Sequence, residues 1–231
     1  VPELVAERSM ASIPFGGRYR LIDFTLSSMA NAGIDNVSVI VRRNYHSLMD
    51  HLGAGREWDL TRKRGGLNIV PPFAERSVKV YSGRVDALES ILSWLEAQKE
   101  RYVILSDAYT ALNFDFAKLI DAHVNSGADV TMVYNRAPIP EGARSDNYTI
   151  RIDDAGRVTE ILSNDYRLGE QNLSLNIYVI ERESLIHLVH DAAVRGLVYF
   201  ERDILARNLK LLNVQAYRFD GYVARISDMK S

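Results

Sequence analysis

The sequence predicts an α/β fold built on a mixed, mainly parallel sheet with helices on both faces. Three observations carry that expectation: short β-branched runs, helical apolar stripes alternating with them, and a switch to period-two alternation from about residue 146. Segment 20–32 (RLIDFTLSSMANA) places Leu21, Ile22, Phe24, Leu26 and Met29 on one helical stripe, and Gly33 stands where a C-terminal cap glycine belongs. Val37, Val39, Ile40 and Val41 make a buried strand, followed by a helix over 45–52 and a glycine-rich, charged loop from Gly53 to Gly66. A second loop, 71–82, leads into a helix over 84–97 and a strand over 102–105. A helix over 116–126, ended by Gly127, precedes a strand over 130–134.

Residues 148–152 and 157–162 then alternate with period two, joined by Asp153-Asp154-Ala155-Gly156 with glycine where a hairpin turn wants positive φ. A strand over 173–180, a helix over 183–194, a short helix over 200–208 and a strand over 214–219 complete the order. One domain is expected, spanning 1–231. The chain starts on a loop-like Val-Pro-Glu and stops just after Ile226-Ser227-Asp228, which predicts a piece of a longer protein.

Composition narrows the function. Of 231 residues, 47% are hydrophobic and 25% charged, the balance of an ordinary globular protein. Lys+Arg 28 against Asp+Glu 30 leaves a net charge of −2, so nucleic acid and membrane surfaces are not expected partners. No apolar run approaches the ~20 residues that span a bilayer, and VPELVAERSM lacks the order of a signal peptide. With no cysteine there is no disulfide framework, thiolate nucleophile or Cys-based zinc site. A cytoplasmic location is the expectation.

Two signals for chemistry stand out. Phe15-Gly16-Gly17-Arg18-Tyr19-Arg20 is either an anion cradle ahead of a helix or a tight turn flanked by solvated arginines. Asp107, just past a strand, is either a cation ligand at the carboxyl edge of the sheet or a local turn or cap residue. Arg62-Lys63-Arg64 reads as a solvated loop, and His187 with His190 as a surface pair lacking a third ligand.

Read together, PFGGRYRLIDFTLSSMANAGI, VSVIVRRNYHSLMDHL, YSGRVDALESIL, YVILSD, GRVTEI, SLNIYVI and FDGYVARISD resemble, in order, the bacterial glucose-1-phosphate adenylyltransferases. The resemblance implies a Rossmann-like, glycosyltransferase-A-like nucleotidyltransferase domain. It implies further a missing first strand and nucleotide loop before Val1, and a left-handed β-helix after Ser231. The family reaction joins ATP and glucose 1-phosphate to give ADP-glucose and pyrophosphate, with Mg²⁺ neutralising the charge that develops. By resemblance, Tyr81, Gly83, Asp86, Glu160, Ser174 and Arg202 fall at substrate-binding positions, and Asp107 at that of a metal aspartate.

The departures concentrate at the chemistry. Where the family reads Arg-x-Lys-Pro, this chain has Arg8-Ser9-Met10-Ala11, so Met10 replaces a phosphate-facing lysine. Where the family places a second metal aspartate, this chain has Arg225, a change of two charge units. Ser163-Asn164-Asp165 replaces Glu-Lys-Pro, Tyr148 replaces a glycine, and Arg202 a sugar-contacting lysine. No intact catalytic set is therefore expected. Arg18, Arg20, Arg42 and Arg43 form the expected effector-binding cations. The pattern resembles the D-type subunit of glycogen synthesis, which implies a regulatory role beside an active C-type subunit in a heterotetramer. An active enzyme with a rearranged metal site and a ligand-free scaffold are the alternatives.

Overall fold

The computed structural model describes residues 8–62, 65–71, 81–140 and 147–225. In chain order the strands begin with β1 (Pro14–Phe15), β2 (Tyr19–Arg20), β3 (Asn36–Ile40), β4 (Gly66–Val70), β5 (Tyr102–Leu105) and β6 (Thr110–Leu112). They continue with β7 (Val130–Pro138), β8 (Tyr148–Ile152), β9 (Val158–Ser163), β10 (Glu170–Glu181), β11 (Val214–Arg218) and β12 (Val223–Arg225). The helices are α1 (Leu21–Asn31), α2 (His46–Leu52), α3 (Arg84–Glu89), α4 (Leu92–Glu96), α5 (Phe116–Ser126) and α6 (Arg182–Val194). A π-helix, Phe200–Leu205, runs on into α7 (Ala206–Asn208). Two compact units result: one from Val1–Tyr81, Ala108–Lys118 and Gly221–Ser231, the other from Ser82–Asp107 and Leu119–Asp220.

In the first unit, Gly16 and Gly17 turn the β1–β2 hairpin with φ of +61° and +82°, a conformation that side-chain-bearing residues avoid. The turn expected at this motif is present. α1 follows at once, and the Arg20 N–H donates to Asp23 Oδ2 at 2.9 Å to close its first turn. Gly33, at φ +74°, ends the helix while the Ile34 N–H donates back to Met29 O. β3 pairs in parallel with β4, and β6 antiparallel with β12. Ile13, Leu21 and Ala111 are buried at the centre of an apolar cluster.

In the second unit β10 is the hub of the sheet. It pairs antiparallel with β5, β7 and β8, while β11 joins β7 in parallel and β9 joins β8 antiparallel. The α/β class and the mixed sheet are as expected. Antiparallel pairs nevertheless outnumber parallel ones among the described residues, because one long strand serves three neighbours. Residues Leu173 to Ile180 of β10 are all buried, as a strand covered on both faces requires.

Three expectations need correction. The helix over 84–97 is two helices, α3 and α4. Ser90 Oγ donates to Ala87 O at 2.7 Å, and Ile91 leaves helical geometry at φ −113°, ψ 9°. The short helix over 200–208 opens as a π-turn: the Asp203 carboxylate accepts from the Val198 and Tyr199 N–H groups and holds its start. The glycine-rich loop gives way to strand β4 at Gly66. An added Cβ there would stand 2.6 Å from Leu60 O. No helix among the described residues is long and apolar enough to cross a membrane.

Candidate functional site

The first unit holds both Met10 and Arg225, the positions at which the chain departs from the resemblance. Met10, Tyr109 and Ala224 pack on the buried cluster of Ile13, Leu21 and Ala111. Arg225, next along β12 and paired with Thr110 of β6, lays its guanidinium 5.0 Å from the centre of the Tyr109 ring. Its Nη2 donates to Tyr109 Oη at 2.6 Å. Met10 and Tyr109 thus pack on one apolar cluster, and the Arg225 guanidinium meets the Tyr109 phenol. A cation on an aromatic face is favourable, but it neither supplies a carboxylate nor leaves a lysine amine to meet phosphate.

The four arginines of the expected effector set differ in their engagement. Arg20 serves the fold, donating from Nη1 to Ser47 O at 2.5 Å and to Ser47 Oγ at 2.9 Å. Arg42 Nη2 donates to Tyr81 O at 2.6 Å and so joins two of the expected residues. Arg18, the last residue of the hairpin turn, and Arg43, beyond β3, are exposed.

The second unit holds a buried ionic network. Arg84, the first residue of α3, donates from Nη2 to Asp107 Oδ1 at 2.5 Å and from Nη1 to Glu201 Oε1 at 2.6 Å. Side-chain exposure is 20% for Arg84, 17% for Asp107 and 5% for Glu201. A β-bulge in β10 between Ser174 and Tyr178 completes the arrangement. It sets Asn176 at φ +55°, from where its Nδ2 donates to Asp107 Oδ2 at 2.7 Å. Ser174 Oγ accepts from the Asn176 N–H at 3.1 Å, and the Tyr178 hydroxyl donates to Glu201 Oε1 at 3.2 Å. Burial pushes the Tyr178 phenol well above its ordinary pKa, so it stays a donor.

This network brings the expected residues Ser174 and Asp107 together through Asn176. The other expected substrate positions take local structural partners. Gly83 is a glycine because Val198 O would lie 2.3 Å from any Cβ there. Asp86 Oδ2 accepts from the Ser82 N–H at 2.9 Å, ahead of α3. Glu160, exposed on β9, pairs with Arg151 of β8 at 2.7 Å. Arg202 pairs with Asp203 at 2.9 Å and stacks 4.2 Å from the Tyr199 ring, and it holds the Asp203 carboxyl down to about 2. Asp165, in the segment that replaces Glu-Lys-Pro, is held below the usual carboxylate range by Arg167 and accepts from Thr149 Oγ1 at 2.7 Å.

A Mg²⁺ ion at Asp107 needs free carboxylate oxygens, and the donors present do not suit it. Oδ1 and Oδ2 already accept from Arg84 and Asn176. Among the described residues no group of three or more His, Cys, Asp or Glu is placed to hold a metal. Asp228, Lys63 and Arg64 lie outside the described residues. Arg84, Asn176, Tyr178 and Glu201 escaped sequence reasoning. Arg84 sits beside Gly83 in the quoted YSGRVDALESIL motif, but its partners lie 23 and 117 residues away, so no spacing announces them.

The second unit is thus of the α/β class, a mixed sheet whose polar groups converge on a bulged hub strand. The sequence model for nucleotidyl transferases matches residues 3–215, and the chain belongs to that family. Over 134 residues it is 42% identical to the glycogen biosynthesis protein GlgD of Geobacillus stearothermophilus, covering 58% of this chain and 39% of that protein. It is 35% identical over 226 residues to a glucose-1-phosphate adenylyltransferase of Thermotoga sp. strain RQ2, covering 95% and 53%. It is 30% identical over 229 residues to GlgD of Bacillus subtilis, covering 99% and 56%. The chain spans about half the length of the curated relatives it matches.

Proposed function

We propose that this chain is the nucleotidyltransferase portion of a regulatory, catalytically degenerate subunit of glucose-1-phosphate adenylyltransferase, acting in glycogen biosynthesis. The observation that carries the reading is the cluster at Tyr109. Met10 is packed into an apolar cluster and Arg225 is committed to a phenol, at positions where the resemblance calls for a phosphate-facing cation and a metal-holding carboxylate. Losing two members of one catalytic unit removes most of what either contributed. Relatives named both GlgD and glucose-1-phosphate adenylyltransferase support the pathway.

The partner in this reading is an active C-type subunit in a heterotetramer, which supplies turnover. The retained role is to bind a sugar phosphate at the cations led by Arg18 and to pass that state to the partner. Exposed Arg18 and Arg43 support this, since a phosphate needs cations that solvent can reach. The test is ADP-glucose synthesis by the full-length protein, alone and mixed with an active C-type subunit. Silence alone with an altered rate or activator response in the mixture is expected. Robust turnover alone overturns the reading, and an unchanged activator response in Arg18→Ala mixtures removes the sensing role.

A further inference from the structure

We propose that Arg84 is a built-in cation that takes the place of a divalent metal in the second unit, and that it excludes metal ions from Asp107. The guanidinium spans two carboxylates, with Nη2 on Asp107 Oδ1 at 2.5 Å and Nη1 on Glu201 Oε1 at 2.6 Å. Glu201 is almost fully enclosed. A buried carboxylate must be paired with positive charge or become protonated, and Arg84 supplies that charge to Glu201 and Asp107 together. A divalent ion bridging the same oxygens would meet a permanent positive charge already between them, because a guanidinium does not deprotonate near neutrality.

The remaining valences are filled in the same sense. Asn176, set at φ +55° by the bulge in β10, places its amide on Asp107 Oδ2 at 2.7 Å. A metal there would face an N–H donor instead of a lone pair. Tyr178, wholly buried, donates to Glu201 Oε1 and carries the Arg84 guanidinium 5.5 Å from its ring centre. Donors therefore surround both carboxylates. The network is assembled by the chain's own cation, so its folding does not require Mg²⁺. The proposal rests on this donor geometry and not on the functional reading above, so each fails by its own measurement.

The experiment is metal binding by the full-length protein, read by the Mn²⁺ electron paramagnetic resonance signal and by melting with Mn²⁺, Mg²⁺ or chelator. The wild type is expected to leave Mn²⁺ free and to melt at one temperature in all three. Arg84→Ser takes the cation from both carboxylates and leaves Asp107 Oδ1 without its guanidinium donor, and is expected to gain one Mn²⁺ with a dissociation constant of about 10⁻⁴–10⁻³ M, the range of weak carboxylate sites. Its melting temperature then rises with added Mn²⁺ by linkage. Asp107→Asn added to Arg84→Ser is expected to abolish that gain. Stoichiometric Mn²⁺ on the wild type that disappears in Asp107→Asn overturns the proposal, as does a folded Arg84→Ser that binds no Mn²⁺. Should Arg84→Ser fail to fold, the wild type and Asp107→Asn alone decide it, with Arg84→Lys, which keeps a cation, expected to stay metal-free.

Discussion

Two arginines at chemistry-bearing positions are held by opposite physics. In the first unit Arg225 lies across the face of Tyr109, beside an apolar cluster that includes Met10. In the second, Arg84 is clasped between Asp107 and Glu201 with little exposure to water. A cation over a partly buried ring contributes roughly 1–2 kcal/mol. Breaking a buried ion pair by removing one partner costs about 3–5 kcal/mol, because the partner is left charged and unpaired. Arg84 is therefore expected to matter more to the stability of the fold than Arg225. Substitutions around Tyr109 are accordingly expected to perturb stability less than substitutions around Arg84.

The sharpest way to break this contrast is Arg84→Ala, which leaves two carboxylates facing each other. It is expected to cost about 3 kcal/mol, the low end for a buried pair because Arg84 keeps some solvent, measured by urea unfolding. A loss no larger than that of Arg225→Ala would erase the distinction. Gly83→Ala, which drives a Cβ against Val198 O just ahead of Arg84, is expected to cost about 2 kcal/mol by overpacking. It shows whether Arg84 is positioned from the backbone. Arg225→Ala removes a ring contact and a hydrogen bond and is expected to cost about 1 kcal/mol.

Acid sharpens the picture of the second unit. The Asp203 carboxyl is held down to about 2 by Arg202, against an unfolded value of about 3.9. Its stabilisation is thus complete above about pH 4 and is lost as pH falls toward 2. Arg202→Ala is expected to move the acid-unfolding midpoint upward, losing less than about 1 kcal/mol at neutral pH because Arg202 is itself exposed. His123 works in the same direction: burial lowers its pKa, so stability falls as pH drops below the unfolded value of about 6.5. The smallest effect belongs to Arg18→Ala. This exposed side chain is expected to shift unfolding by no more than about 0.5 kcal/mol, which makes it the clean variant for testing sugar-phosphate sensing.

Much of the fold was legible because it is written in local pattern. The stripe in 20–32 became α1, the alternation in 148–152 and 157–162 became β8 and β9, and Gly156 took positive φ at +81° in their turn. Strands β6 and β12 were missed because three-residue strands carry no periodicity and exist only through each other's hydrogen bonds. At the site, Met10 and Arg225 were visible as departures from a resemblance, but the Tyr109 phenol that Arg225 meets was not.

The sequence by itself carried the longer helices, the strands with a clear apolar period and the family, since each rests on residue types at short or motif-fixed spacing. Only the tertiary structure decided that Asp107 is answered by Arg84 and Asn176, and that Glu201 and Tyr178 close the same network. Those partners come from α3, the bulge in β10 and the π-helix, segments far apart in the chain. Long-range charge compensation leaves no periodic trace: it is settled by which side chains burial forces into one another's company.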